Sequence, residues 1–395
     1  MTIRSVEEKK LKILYATGRY SPLKHDDGSG TDYRLYHALL SQGVEMKFIG
    51  PFPDHPSLIE RLYRKVHTVF SHKRPAKYTA AMLKTAAQTL SITVNEYQPD
   101  VIFSKNLAPL VRFHAQLPVV YMLDSTVAGF NRGWPTFSRL ENWRMVEWEK
   151  KVLKQSSSVI TRSEWTRQSL IEDYHYPAER IHIVHNGSSL PDHVIPQEIE
   201  NEPPDFSTIR LLFVGRVMHL KGIDIAIEIV NQLNECGRQA DLRIVGLDGQ
   251  DQDHIHYMGS FKKSIEDQLI AYANQYRWPH FLLHPARYDA APIVTAEAAA
   301  FGVPTLTNNV GGIASMVQDG LSGVVLPALS PAAEYVKKIV YYADHPQEYM
   351  ALRRTTRERY EKELNWNVAG KKIVTILQSV VEENQLKPGL KKEQP

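Results

Sequence analysis

The chain has a single cysteine, Cys236, in 395 residues, so no disulfide can form within it and no cysteine-based zinc site can be built. It has no uninterrupted apolar run of the roughly 18 residues needed to span a bilayer, and its opening MTIRSVEEKK is too polar for a signal peptide. Neither sign of charge dominates: 47 Lys and Arg stand against 44 Asp and Glu, a net +3, so composition gives no reason to expect a nucleic-acid partner. What remains is 43% hydrophobic and 23% charged, the balance of an ordinary globular protein. The length allows two or three domains, of which two is the natural count. A reducing cytoplasm is the expected location, with any work at a membrane done from its inner surface.

Taken in order, LKILYAT (11–17), a glycine-containing loop, the helical spacing of YRLYHALLSQ and the run VEMKFIG (44–50) form strand, loop, helix and strand. That is the opening unit of a doubly wound parallel sheet, whose ligands sit beyond the carboxyl ends of the strands. Gly28 and Gly30 let the backbone approach a ligand, and Thr31 is placed to cap the following helix. PDVIFSK (99–105) and PVVYMLD (118–124) read as further buried strands, with Asp124 at the carboxyl end of the second. Ser125 and Thr126 follow it; the alternative reading of Asp124 is a helix or turn cap. A strand and a helix capped at Ser163 come next, then a last strand within 180–190. Proline-rich, acidic 191–208 reads as a linker. IRLLFVG (209–215) then starts the same architecture again, with Arg216 and Lys221 flanking the turn after its first strand. Two cations so placed can neutralise a diphosphate as its charge grows.

The stretch from His284 to Val317 constrains the chemistry most. Asp289 and Glu297 are eight residues apart; Pro292 suits the first turn of a helix, and Ala296, Ala298, Ala299 and Ala300 favour its continuing to Phe301 before Gly302 and Pro304 stop it. One carboxylate is thus expected in the loop feeding the helix and the other about two turns in. The amides near Ile293 and Val294 face any anion at that N-terminus, which suits a sugar diphosphate. Asp251 and Asp253 form an Asp-x-Asp, read as a polar loop rather than a metal site because no following strand is expected to hold both carboxylates. Tyr335, Ile339, Val340, Tyr341 and Tyr342 read as core-facing positions. From Arg61 to Asn95 there is no acidic residue, while Arg61, Arg64, Lys65, Lys73, Arg74, Lys77 and Lys84 are interleaved with Tyr63, Phe70 and Tyr78. Such a segment suits anionic lipid or a phosphorylated acceptor; the alternative is a solvated helix pair with a mobile loop.

These residues together resemble the retaining glycosyltransferases of the GT-B fold, family four. The paired acids and the Gly-Gly correspond to Asp289, Glu297, Gly311 and Gly312; the diphosphate clamp corresponds to Gly215, Arg216, Lys221 and Gly222. The resemblance runs from Leu11 to about Val381 and implies two Rossmann-like doubly wound domains with a cleft between them. Residues 1–195 would form the acceptor side, joined by a crossing helix within 365–395, and 196–364 the nucleotide-sugar side. It further implies that Asp289 meets the donor sugar, Glu297 the ribose, Ile293 and Val294 the phosphate, and the backbone beside Met258 the base. The Gly28, Gly30 and Thr31 loop would face the donor phosphates and the acceptor. Asp124, Asp289, Arg216 and Lys221 would be the catalytic set.

Three departures stand out. Asp289 is a methylene shorter than the usual Glu, Pro292 removes an amide, and the usual histidine before Asp124 is Leu123. The implied activity is transfer from a nucleotide-diphosphate sugar, UDP before GDP on family frequency, to a hydroxyl of a glycan, a lipid-linked sugar or a small molecule, with no metal or cofactor. A nucleotide-sugar 2-epimerase and a non-catalytic nucleotide-sugar-binding protein are the alternatives. A phosphorylase would need a pyridoxal-binding lysine motif, and none is visible.

Overall fold

The computed structural model describes residues 10–17, 20–73, 75 and 78–386; Arg74, Lys77 and the tail from 387 lie outside them. The first sheet contains β1 (Lys12–Ala16), β2 (Glu45–Ile49), β3 (Val101–Ser104), β4 (Val119–Leu123), β5 (Ser158–Thr161) and β6 (Ile181–Ile183), in the order β2-β1-β3-β4-β5-β6. The second contains β7 (Ile209–Val214), β8 (Ala240–Val245), β9 (Ile255–Gly259), β10 (Phe281–His284), β11 (Thr305–Asn308) and β12 (Gly323–Leu326), in the order β12-β11-β10-β7-β8-β9. Every pairing is parallel. Central strands such as β3, β4 and β10 are buried at every residue, as expected when helices cover both faces.

Strand order reverses between β1 and β3 in the first sheet and between β7 and β10 in the second. Crevices open at such switch points, beyond the carboxyl ends of the strands. The loops after β7 and β10 carry Lys221 and Asp289, so the topology alone brings those two residues together. The final helix, Trp366–Gln385, returns to the first sheet and buries Trp366, Ile373 and Leu377 with Ile13, Tyr15 and Leu35. Gly370 permits this approach, because a Cβ there would lie 2.6 Å from the Ala38 carbonyl oxygen.

Several local expectations are corrected. Thr31 is the first residue of the helix Thr31–Leu40 and not its cap; Gly30 holds the cap position at φ 78°, a conformation glycine adopts without strain. Pro292 likewise precedes the helix Ile293–Ala300 as its cap residue, and Glu297 is the fifth residue of that helix, little more than one turn in. A strand does follow Asp251: it is β9, and the Asp251 carboxylate accepts the Tyr257 N–H at 2.8 Å, so this acid serves the loop. Tyr335 and Ile339 are fully buried, but Tyr341 is exposed and donates to Glu348. In the basic segment, the helix Ala80–Tyr97 buries one face, whereas Leu58–Ser71 buries no residue at all.

Candidate active site

A cleft of about 520 Å³ opens between the carboxyl ends of the two sheets. Its lining includes Gly28, Gly30, Thr31 and Asp124 from the first sheet's side, and Gly215, Arg216, Lys221, Asp289, Ile293, Val294 and Glu297 from the second's. Met258 is not part of the lining: it packs on the cluster under β7 and β8, and the wall beside it is formed by Gly246 and the 260–263 loop.

Lys221 ends the short helix Met218–Lys221, and its ammonium donates to the Asp289 carboxylate. The buried His284, last residue of β10, meets the same oxygen at 3.1 Å. Burial works against the Asp289 charge, but the Lys221 ammonium and the His284 hydrogen bond outweigh it and hold the carboxyl well below its usual range. Asp289 is therefore a fixed anion, already paired with Lys221. Arg216 is exposed at the cleft and has no acidic partner among the described residues. The Gly311-Gly312 pair supports this arrangement from behind. A Cβ on Gly311, which has φ 55°, would run into the Asp289 carbonyl oxygen, and one on Gly312 would run into that of Ala290. The Gly312 N–H donates to the Asp289 carbonyl at 2.9 Å.

Ile293 and Val294 open their helix without a side-chain cap, so their N–H groups face the cleft as ready anion donors. Glu297 is fully buried and completely engaged. One carboxylate oxygen accepts from Ser189 and from Lys263 (2.9 Å); the other accepts from Tyr272 (2.7 Å) and Tyr276 (2.6 Å). Four donors match the roughly four lone-pair positions of a carboxylate. Burial opposes the charge, yet Lys263 and these hydrogen bonds lower the pKa overall. A ribose hydroxyl reaches this carboxylate only by displacing one of them.

Asp124 is half-exposed at the end of β4, and the fully buried Arg162 places its Nε 3.5 Å from the carboxylate. Capping is done by the neighbour: the Thr126 hydroxyl accepts the Gly129 N–H at 2.9 Å and starts the helix Val127–Gly133. Ser125 accepts a hydrogen bond from Tyr288 at 3.2 Å, a contact between the two sides of the cleft. Ser264 donates across the same gap to Asp26. His284, Lys263, Ser189, Tyr272, Tyr276, Arg162 and Tyr288 were not singled out from sequence. Tyr272 and Tyr276, four apart on one helix face, gave the only periodic signal, and it is the same signal a core stripe gives.

This geometry agrees with comparisons to known proteins. The model described as Glycosyltransferase Family 4 matches residues 33–190, and the one described as Glycosyl transferases group 1 matches residues 195–359. The chain belongs to the family-four, group 1 glycosyltransferases. A glycogen synthase of Mycobacterium tuberculosis is 23% identical over 392 residues, covering 90% of this chain and 92% of that protein. The sucrose-phosphate synthase of Thermosynechococcus elongatus superposes with a TM-score of 0.67 at 16% identity, covering 95% of this chain and 100% of its own. Anabaena HepE in complex with UDP gives a TM-score of 0.61 at 17% identity, covering 93% and 100%. These likenesses establish the GT-B fold of this glycosyltransferase, an enzyme that uses nucleotide-sugar donors, and they favour neither the epimerase nor the binding-protein alternative. Among the described residues, no helix is long and apolar enough to cross a membrane.

Proposed function

We propose that this glycosyltransferase moves a sugar, with retention of configuration, from a UDP-sugar to an acceptor hydroxyl presented by residues 1–195 and the crossing helix, with 196–364 holding the donor. The observation that carries this reading is the convergence of Arg216, Lys221 and the Ile293 and Val294 amides on one wall of a cleft whose facing wall bears Asp124. That wall matches a diphosphate in charge and in hydrogen-bond donors. UDP is preferred over GDP because HepE, of the same fold, is seen with UDP and with UDP-glucose.

In the reaction, the bond between the anomeric carbon and the diphosphate oxygen breaks while the acceptor oxygen bonds to that carbon on the same face. The acceptor proton passes to the departing diphosphate oxygen. Arg216 and Lys221 stabilise the charge that develops on the diphosphate, so the chemistry needs no metal. Asp289 keeps Lys221 oriented and offers its remaining lone pairs to donor hydroxyls. Glu297 takes the ribose in exchange for Ser189 or Lys263. Asp124, held by Arg162, orients the sugar or the acceptor. The Gly28, Gly30 and Thr31 loop closes over the phosphates, and the acceptor is a glycan or a lipid-linked sugar met at the membrane's inner face.

The test is transfer from UDP- and GDP-sugars in the presence of a chelator, with the product's anomeric proton coupling read by NMR. Retained configuration with a UDP-sugar supports the proposal. An inverted product, or activity only after metal is restored, overturns the mechanism.

A further inference from the structure

The helix Leu58–Ser71 follows a perfect amphipathic pattern but is mounted the opposite way from a core helix. At about 100° per residue, Leu58, Ile59, Leu62, Val66, Val69 and Phe70 share one arc of ~120°. Every one of them is exposed; Leu58, Ile59 and Phe70 are 80%, 81% and 82% accessible. Its polar side holds the helix to the protein. Arg64 pairs with Asp54 at 2.7 Å, His67 meets Ser138 at 2.8 Å, and the Tyr63 hydroxyl at the edge of the arc donates to Glu141 at 2.7 Å. A helix packed through polar contacts with its apolar face turned outward has that face free for another phase. Leu140 and Trp143, either side of the Glu141 that Tyr63 reaches, are each 62% exposed and extend the patch.

The charges around the patch are one-sided. Asp54 is neutralised by Arg64, and Glu60 is consumed in the capping box with Ser57 and by the Ala80 N–H. Glu141 is buried and pairs with Arg144. Arg61 and Lys65 border the apolar arc, and Arg139 lies beside Leu140; all three are exposed and have no acidic partner among the described residues. An apolar arc edged by unpaired cations is complementary to a surface that is oily beneath and anionic on top.

We propose that this face is a docking surface for an anionic lipid bilayer, in which the six apolar side chains enter the interface and Arg61, Lys65 and Arg139 meet the headgroups. This gives residues and chemistry to the membrane-face acceptor proposed above and rests on that reading for its link to transfer. The position fits. Lys73 donates to the Pro135 carbonyl, and the same 134–138 loop carries the Trp134 ring, whose centroid lies 6.2 Å from that of His219 on the second sheet's side, two residues before Lys221. A docked helix therefore sets the cleft mouth near the lipid surface, where a lipid-linked acceptor presents its hydroxyl. The carriers differ from the sequence expectation, which rested on basic charge: here burial of apolar side chains leads and charge assists.

The test is flotation with phosphatidylcholine vesicles with and without phosphatidylglycerol, using the full chain, Ile59→Ser/Phe70→Ser and Arg61→Glu/Lys65→Glu. Both pairs are exposed, so melting curves should match wild type, and UDP binding should be unchanged in both. The expected result is that wild type floats with anionic vesicles and is only partly released by salt. The serine pair should lose at least about tenfold in bound fraction, and the glutamate pair should lose its preference for anionic lipid. Wild type failing to float, or the serine pair floating like wild type, overturns the proposal. So does a wild-type dimer in sedimentation that the serine pair dissolves without any flotation, which would assign the face to a second copy of the chain. Flotation without UDP binding would leave the docking surface standing and defeat the donor reading instead.

Discussion

Lys221→Ala removes a cation from the cleft wall and strips a buried carboxylate of its counter-ion, so its effect on stability can be worked out from the structure. Removing one partner of a buried ion pair costs about 3–5 kcal/mol. The Lys221 side chain is 23% exposed and Asp289 keeps His284, which reduces the cost to about 2–3 kcal/mol. For a domain of this size that lowers the melting temperature by roughly 5–10 °C. The loss depends on pH. In the wild type the folded Asp289 has a lowered pKa, so its stabilising contribution is complete above the unfolded value of about 3.9 and declines as pH falls below it. In the variant, burial is no longer opposed by Lys221 and the pKa rises, so the destabilised protein is relieved by acid. The difference between the two proteins should therefore be largest near neutral pH and shrink towards pH 4. Urea unfolding followed by circular dichroism at several pH values reads this directly. Adding Asp289→Asn to Lys221→Ala should restore most of the stability and none of the transfer. A Lys221→Ala protein that unfolds with wild-type stability at neutral pH, or a deficit that does not change with pH, would show that Lys221 does not hold the Asp289 charge in the folded protein.

Tyr276→Phe removes one of four donors to the buried Glu297 carboxylate and should cost about 1.5–3 kcal/mol by urea unfolding, with a weaker donor affinity in calorimetry. Glu149 is buried against the Val127 N–H, and its burial raises the pKa to about 7. A raised acid pKa means stability is lost as pH climbs from the unfolded value of about 4.3 to 7. Glu149→Gln should abolish that decline and be more stable than wild type at pH 8 by about 3–4 kcal/mol, measured in the same unfolding series.

That Arg216, Asp289 and Ile293 gather in one cleft was readable from sequence because strand ends and helix starts fix their places. Arg216 follows β7, Asp289 and the Ile293 amides follow β10, and parallel topology places both loops at one switch point. Glu297 was readable as a paired acid, but its surroundings were not. Ser189 and Lys263 lie in loops with no spacing that ties them to Glu297, and the helical spacing of Tyr272 and Tyr276 is one a core stripe gives equally. His284 closes β10 and Arg162 directly follows β5, and a buried polar side chain at a strand end leaves no periodic mark. Thr31 and Pro292 were displaced by one position each, since cap and first turn favour overlapping residue types. The helix Leu58–Ser71 shows the reverse problem: its apolar arc is plain in the sequence, and only the structure shows that nothing covers it.

The most direct measurement is calorimetric titration of UDP into the wild-type enzyme and into Arg216→Ala, without added metal. Arg216 is exposed and unpaired among the described residues, so the substitution leaves the fold alone. Saturable UDP binding is expected in the wild type, weakened at least about tenfold in the variant, the equivalent of ~1.4 kcal/mol. No UDP binding in the wild type, or equal affinity in the two proteins, would contradict the donor reading.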